Sequence, residues 1–374
     1  MALDLVGFGI VLPILPLYSK RFHASSLTAT LLVASFSAAS MVASPLWGRL
    51  SDRIGRKPVL LASLVGTAVG SLLTGLAGGV ALLFVGRILD GASGASIAVA
   101  QASVGDLADE GERPRLFGLL GAAFGVGFVA GPALGALASL GGARLPFLVA
   151  AGLAALNAVV GLRRLPETRP AIGRPPRRIW RPALPADAVV LIVVAFCAVV
   201  GFSGFESTFA LFGQRHFGFG IGSSAAVFAC VGVVIVVVEG GLVRPLAARF
   251  GELATLRAGL LANVAGLGLL AAARSWGLAV PALAALTVGQ GLVQPSMSSA
   301  LAARADAAQR GSVLGFQQSA GALARVLGPT FAGLLLGTGA SGRPYVLGAA
   351  LSALALAVAW RASPVDRAIN VTGW

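Results

Sequence analysis

Residues 48–58 read Gly48-Arg49-Leu50-Ser51-Asp52-Arg53-Ile54-Gly55-Arg56-Lys57-Pro58. One carboxylate stands among four cations in a short polar turn with two glycines. On either side, over 27–47 and 58–77, the chain is apolar for about twenty residues, the length an α-helix needs to cross a bilayer core of about 30 Å. A basic turn between two such runs predicts a membrane hairpin, and the rest of the chain repeats the arrangement.

Composition sets the solvent. Hydrophobic residues make up 57% of the 374 and charged residues 11%, with a mean hydropathy of +0.89. Soluble domains carry about 25% charged residues, so lipid must cover much of this surface. The 51 glycines agree, since small residues let membrane helices approach closely. The net charge of +14 does not indicate nucleic acid, because the basic residues lie in short loops between apolar runs. Cys197 and Cys230 both fall inside apolar runs and read as small core side chains. The start of the chain is apolar, with Asp4 but no basic segment or cleavage site, so no cleaved signal peptide is expected.

Twelve spans are expected, near 1–19, 27–47, 58–77, 80–103, 116–139 and 144–162, then 187–212, 222–243, 256–273, 278–302, 312–337 and 344–361. The fold class is therefore all-α, with twelve transmembrane helices arranged as two six-helix bundles. The first bundle covers 1–162, a basic linker 163–186, and the second bundle with a short tail 187–374. The linker carries seven arginines among several prolines and suits an exposed cytoplasmic connection. With the N-terminus inside, 20 of the 28 Lys and Arg residues fall in inner loops or the tail and 6 in outer loops. That asymmetry predicts cytoplasmic termini in a multi-pass cell-membrane protein.

The halves echo one another. Arg113, Gly118 and Gly131-Pro132 recur 197 residues later as Arg310, Gly315 and Gly328-Pro329. Leu50, Arg53 and Gly55 recur after 196 residues as Leu246, Arg249 and Gly251. Repeats that start on the same side are parallel, and such bundles enclose a central cavity that rocks between two openings.

These residues resemble the major facilitator superfamily, and within it the twelve-helix drug:proton antiporter branch that includes the tetracycline exporters. The stretch from Gly48 through Asp52, Arg53, Gly55, Arg56 and Lys57 is similar to the superfamily's signature loop between helices 2 and 3. The resemblance implies that Asp52 faces the N-terminus of helix 11 and helps lock the cytoplasmic gate. Such a contact with a helix dipole is worth about 0.3–1 kcal/mol; the other reading is a positive-inside anchor only. Ala248 stands at the matching position of the second half, so the lock is expected on one side. In the fifth span Gly118, Gly127, Gly131, Pro132 and Gly135 resemble the motif that separates exporters from importers, with Ala136 where its last glycine would be. Gly127, Gly131 and Gly135 make one flat face, which ordinary helix packing also uses.

Arg87-Ile88-Leu89-Asp90-Gly91 resembles the branch's arginine motif, which is implicated in proton coupling; Asp90 replaces the usual glutamine. Charges inside a span cost about 2.5–3.5 kcal/mol on insertion scales, so they are paired or functional. Arg87 and Asp90 share a helix face. Either they form a static neutral pair, or Arg87 holds Asp90 ionised until a proton or cationic substrate competes. Asp4 matches the aspartate that tetracycline exporters need in helix 1, although here it stands close to the free amine and water.

The second half carries the candidate binding wall. Phe202, Phe205, Phe209 and Phe212 form one stripe beside Glu206, read either as packing or as an aromatic cavity wall with a carboxylate. Gln290, Gln294, Gln317 and Arg325 are candidates for substrate contact, and Arg325 needs an acidic partner, with Glu206 and Glu239 available. The proton-coupling candidates are thus Asp4, Arg87, Asp90, Glu206 and Glu239. The expected activity is proton-driven export of small amphipathic molecules or drugs by alternating access, by a protein that works as a monomer with protons, substrate and lipid as its only partners. An importer or facilitator on the same scaffold is the nearer alternative, a membrane-embedded enzyme the distant one. His23 and His216 show no metal or nucleophile spacing and no phosphate-cradling loop is present, so no metal, cofactor or ATP drive is expected.

Overall fold

The computed structural model describes residues 2–94, 99, 113–165, 167, 186–304 and 310–361, and among them the chain is helical with no strand. Fourteen helices follow in order: α1 Ala2–Val11, α2 Leu15–Lys20, α3 Ser26–Ile54, α4 Arg56–Gly75, α5 Val80–Ala92, α6 Arg113–Ser139 and α7 Leu145–Arg164 in the first half. The second half contains α8 Ala186–Phe217, α9 Ile221–Gly241, α10 Val243–Phe250, α11 Glu252–Ala272, α12 Trp276–Arg304, α13 Arg310–Gly337 and α14 Arg343–Arg361.

Among the described residues, nine helices are each long and apolar enough to cross a bilayer alone. Three expected spans are not among these nine. The first breaks at Leu12-Pro13-Ile14 into α1 and α2, because Pro13 and Pro16 lack backbone donors. The fourth is described only as far as Gly94, plus Val99. The fifth forms the 27-residue α6, and many of its side chains lie outside the described set. Elsewhere chain chemistry explains the helix ends. Ser25 caps α3 by accepting from the Thr28 N–H at 3.1 Å. Gly55 and Gly251, 196 residues apart, both adopt positive φ (102° and 86°) and join one helix to the next. A side chain at either position would be strained.

The packing repeats with the sequence. In the first half α1 packs on α6 and α7, α4 on α5 and α7, and α3 on α5. In the second half the equivalent helices pair the same way: α8 on α13 and α14, α11 on α12 and α14, and α9 on α12. Two seams join the halves, α3 against α13 and α6 against α9. The architecture is the major facilitator fold anticipated from the sequence. Lipid tails are as apolar as leucine, so close backbone approach holds such helices together. One example is α4 on α5, where a Cβ on Gly70 would fall 2.8 Å from both the Gly86 O and the Asp90 N. The same register returns in α11 on α12, where a Cβ on Gly266 would fall 2.8 Å from the Ala282 O.

Across the α3–α13 seam a packed cluster lies at the face predicted to be outside, while the α6–α9 seam runs inward as far as Gly125 against Val236. Leu17, Ala29, Ala210, Leu211 and Leu336 form one buried cluster drawn from both halves. Gly333 of α13 abuts Thr30 and Leu27 of α3, and the Arg215 guanidinium donates to Ser26 Oγ at 3.2 Å. Towards the other end of α3 the side chains are uncovered, Val42 at 64% and Leu46 at 59% exposure.

Candidate functional site

Four helices of the first half converge on one charged pair. Arg87 Nη2 on α5 lies 2.6 Å from Asp90 Oδ2, and the two residues are only 2% and 6% exposed. The i,i+3 spacing puts both on one face. Thr67 of α4 and Asp4 of α1 both lie close enough to act on the Asp90 carboxylate. The Arg87 Cζ sits 5.8 Å from the centre of the Phe36 ring of α3. Arg87 Nε is buried without a hydrogen-bond partner, so the guanidinium keeps one unused donor. Glycine makes this convergence possible. A Cβ on Gly91 would lie 2.8 Å from the Phe36 Cα, and one on Gly70 would meet Asp90 itself. At the equivalent register of the second half stand Leu283 and Leu286, so the pair belongs to the first half alone.

The glycine face of α6 seats α1, which carries Asp4. A Cβ on Gly131 would come within 2.6 Å of the Gly9 Cα and 2.8 Å of the Val6 O. One on Gly135 would lie 3.2 Å from the Ile10 O, and Gly127 faces Leu5. Pro132 is buried against Gly9. Gly118 belongs to α6, and its surroundings lie outside the described residues. The motif residues therefore do mechanical work: they fix how deeply α1 beds into the half.

In the signature loop, Gly55 makes the turn, while nothing lies within 4 Å of a Cβ placed on Gly48. Arg56 turns back, its Nη1 donating to Ser51 Oγ at 2.6 Å. Arg53 is exposed and Lys57 half-buried. The Asp52 side chain, like residues 305–309 just before α13, lies outside the described residues. A contributor the sequence reading missed is Glu167, just beyond α7. Its carboxylate accepts the Arg56 N–H at 2.8 Å and the Lys57 N–H at 3.2 Å, capping the N-terminus of α4. Its only sequence signal is a lone carboxylate at the head of an arginine-rich linker.

The second half separates residues that the sequence placed together. Phe202, Phe205, Phe209 and Phe212 are buried in an aromatic core with Phe228 and Tyr345, where the Phe205 and Phe209 ring centres lie 5.2 Å apart. In this conformation the stripe packs the bundle and does not line an open cavity. Glu206, one position on, turns away from that core, is half-buried, and is within electrostatic reach of Arg325 on α13. Arg325 is exposed, and neither makes a direct hydrogen bond or ion pair among the described residues. Glu239 is exposed near the end of α9. Gln317 Nε2 donates to Ser298 Oγ at 3.3 Å and bridges α13 to α12. Gln290 buries an Oε1 with no partner, as Asn263 does its Oδ1, while Gln294 is half-buried.

Comparison with known proteins extends these observations. A family model described as Major Facilitator Superfamily matches residues 1–329. The class C tetracycline resistance protein of Escherichia coli is 33% identical over 370 residues, covering 94% of this chain and 92% of that protein. Multidrug resistance protein 1 of Bacillus subtilis (strain 168) is 28% identical, covering 96% and 93%. Among solved structures, a bacterial homolog of the human lysosomal transporter Spinster, inward-facing and occupied, aligns with a TM-score of 0.82 at 15% identity, covering 96% of this chain and 94% of that one. The human organic anion transporter MFSD10 (TETRAN) aligns at 0.74 with 24% identity, covering 96% of each chain.

Proposed function

The chain belongs to the major facilitator superfamily, and from that premise we propose that it exports small amphipathic molecules in exchange for protons. It is a multi-pass membrane transporter and not an enzyme, with tetracycline and multidrug resistance proteins among its relatives. Export, proton coupling and membrane placement are our reading. The signature loop and both termini face the cytoplasm of the plasma or inner membrane, and the sealed face lies outside. The chain then stands open to the cytoplasm, where substrate enters. The two halves, 1–162 and 187–374, rock about the seams while the linker holds them together. The proton gradient supplies the drive, and the protein works as a monomer without a cofactor.

The observation that carries this reading is the buried Arg87–Asp90 pair with Asp4 beside it. Burial disfavours an isolated charge, whereas the facing guanidinium favours the carboxylate, so small movements of α1 or α5 alter which form is held. A carboxylate whose partner shifts with conformation can collect a proton on one side and lose it on the other. Proteoliposomes test the proposal: substrate added to the cytoplasm-equivalent side should drive proton movement the opposite way, and Asp90→Asn should abolish it. Should neutral variants of Asp4, Asp90, Glu206 and Glu239 all keep full coupling, the proton route is wrong.

A further inference from the structure

Arg325 and Glu206 lie on the sides of α13 and α8 that, nearer the outer face, join the halves. Leu336 stands three turns after Arg325 on the same face of α13, and Ala210 one turn after Glu206 on α8. Leu336 and Ala210 both pack in the buried cluster that joins the halves, with Leu17 and Ala29 of the first half. Arg325 and Glu206 therefore lie on the same sides of their helices as these residues of the seal, deeper in the protein.

The strip of α13 that packs on α8 adjoins that side. Ala324 O accepts from Ser203 Oγ at 3.3 Å, and Gly328 packs beside Gly204. Arg325 is turned about 100° from Ala324 and about 60° from Gly328, at the edge of that contact. It is exposed although it lies near the middle of a span, and among the described residues no hydrogen bond or ion pair occupies its guanidinium. A cation at that depth must meet water or an anion, since lipid would charge several kcal/mol for it. Its guanidinium lies back along α13 over Gly321, one turn earlier, with Nη1 in ordinary contact range of that position. Glu206 lies within electrostatic reach of Arg325 without touching it.

We propose that Arg325 binds an anionic oxygen group of the transported molecule, a carboxylate or sulfonate, and that Glu206 is the resident anion which balances Arg325 when the cavity is empty. This rests on the transport reading above and narrows its substrate class to amphipathic molecules that carry such a group. A guanidinium offers a planar pair of donors matched to a carboxylate. Glu206 cannot supply that geometry from where it stands, and a mobile ligand can. The first half holds the opposite arrangement, with its arginine paired to Asp90 in direct contact. One arginine is thus committed and the other is open.

The test uses the full-length protein in detergent and two dyes with the same ring system, rhodamine 110 with a free carboxylate and rhodamine 123 with that group as its methyl ester. Binding is read by fluorescence anisotropy, and each variant is first checked for an unchanged melting temperature. Wild type should bind rhodamine 110 more tightly. Arg325→Gln should weaken rhodamine 110 by about tenfold or more, the scale of one hydrogen bond to a charged group, and leave rhodamine 123 unchanged. Arg325→Lys should retain part of the preference. Glu206→Gln should tighten rhodamine 110 several-fold, since the competing anion is gone; a merely structural glutamate would not produce a gain. Equal losses for both dyes in Arg325→Gln, or none for either, would overturn the assignment while leaving the transport reading intact. Wild type that binds neither dye and drives no proton movement with any amphiphile would instead refute the transport reading, and the assignment with it.

Discussion

Replacing Asp90 by leucine strands Arg87 inside the packed first half. Their charges, about 4 Å apart between centres, attract by about 4 kcal/mol at an effective dielectric of about 20. Deleting one partner of such a buried pair costs about 3–5 kcal/mol, because the remaining charge has no solvent to return to. The chain itself supplies the control. Leu283 and Leu286 occupy the equivalent register of the second half, on a helix pair packed through the same glycine approach. The double variant R87L/D90L should therefore recover most of the stability that D90L loses, since a well-packed apolar pair often matches a buried ion pair. Thermal unfolding of the detergent-solubilised protein, followed by tryptophan fluorescence or a thiol-reactive dye at Cys197, measures both. Coupled transport should be absent from both variants. A double variant no more stable than D90L would show that the two residues do not act as a unit; a double variant that still couples substrate to protons would remove the pair from the mechanism.

Gly131→Ala places a methyl group within 2.6 Å of the Gly9 Cα and should lose stability on the overpacking scale of about 1–3 kcal/mol, together with most transport, whereas Gly48→Ala, with nothing within 4 Å, should melt like wild type. Glu167→Ala removes the cap of α4 and should cost about 0.5–2 kcal/mol, seen as faster hydrogen exchange at the Arg56 and Lys57 amides with the rest of α4 unchanged. Phe209→Ala should lower stability by about 3–5 kcal/mol while the ranking of transported substrates stays the same, because its ring lies in the core; a changed ranking would return the stripe to the cavity wall.

The apolar runs, the turn glycines and the repeat were readable from sequence because each follows from local chemistry. Gly55 and Gly251 show this, since a turn needing positive φ in both halves keeps glycine in both. What was hidden depends on neighbours. Helical spacing put Phe205 and Glu206 side by side, but only the packed helices show that one turns into the bundle and the other towards the seam. The two candidate partners of Arg325 could not be ranked until α8 and α13 were seen to pack together, with Glu206 the nearer. Glu167 reaches back 111 residues to Arg56, a contact that no local pattern encodes. The break between α1 and α2 was signalled by Pro13 and Pro16, though a hydropathy window averages across it.

Inside-out membrane vesicles expressing the chain measure the central claim directly. With an imposed gradient, acidic inside, an amphipathic dye should accumulate in the vesicles, and collapsing the gradient should stop it. Dye that instead leaves the vesicles along with protons, or that equilibrates at the same rate with and without the gradient, would contradict proton-driven export.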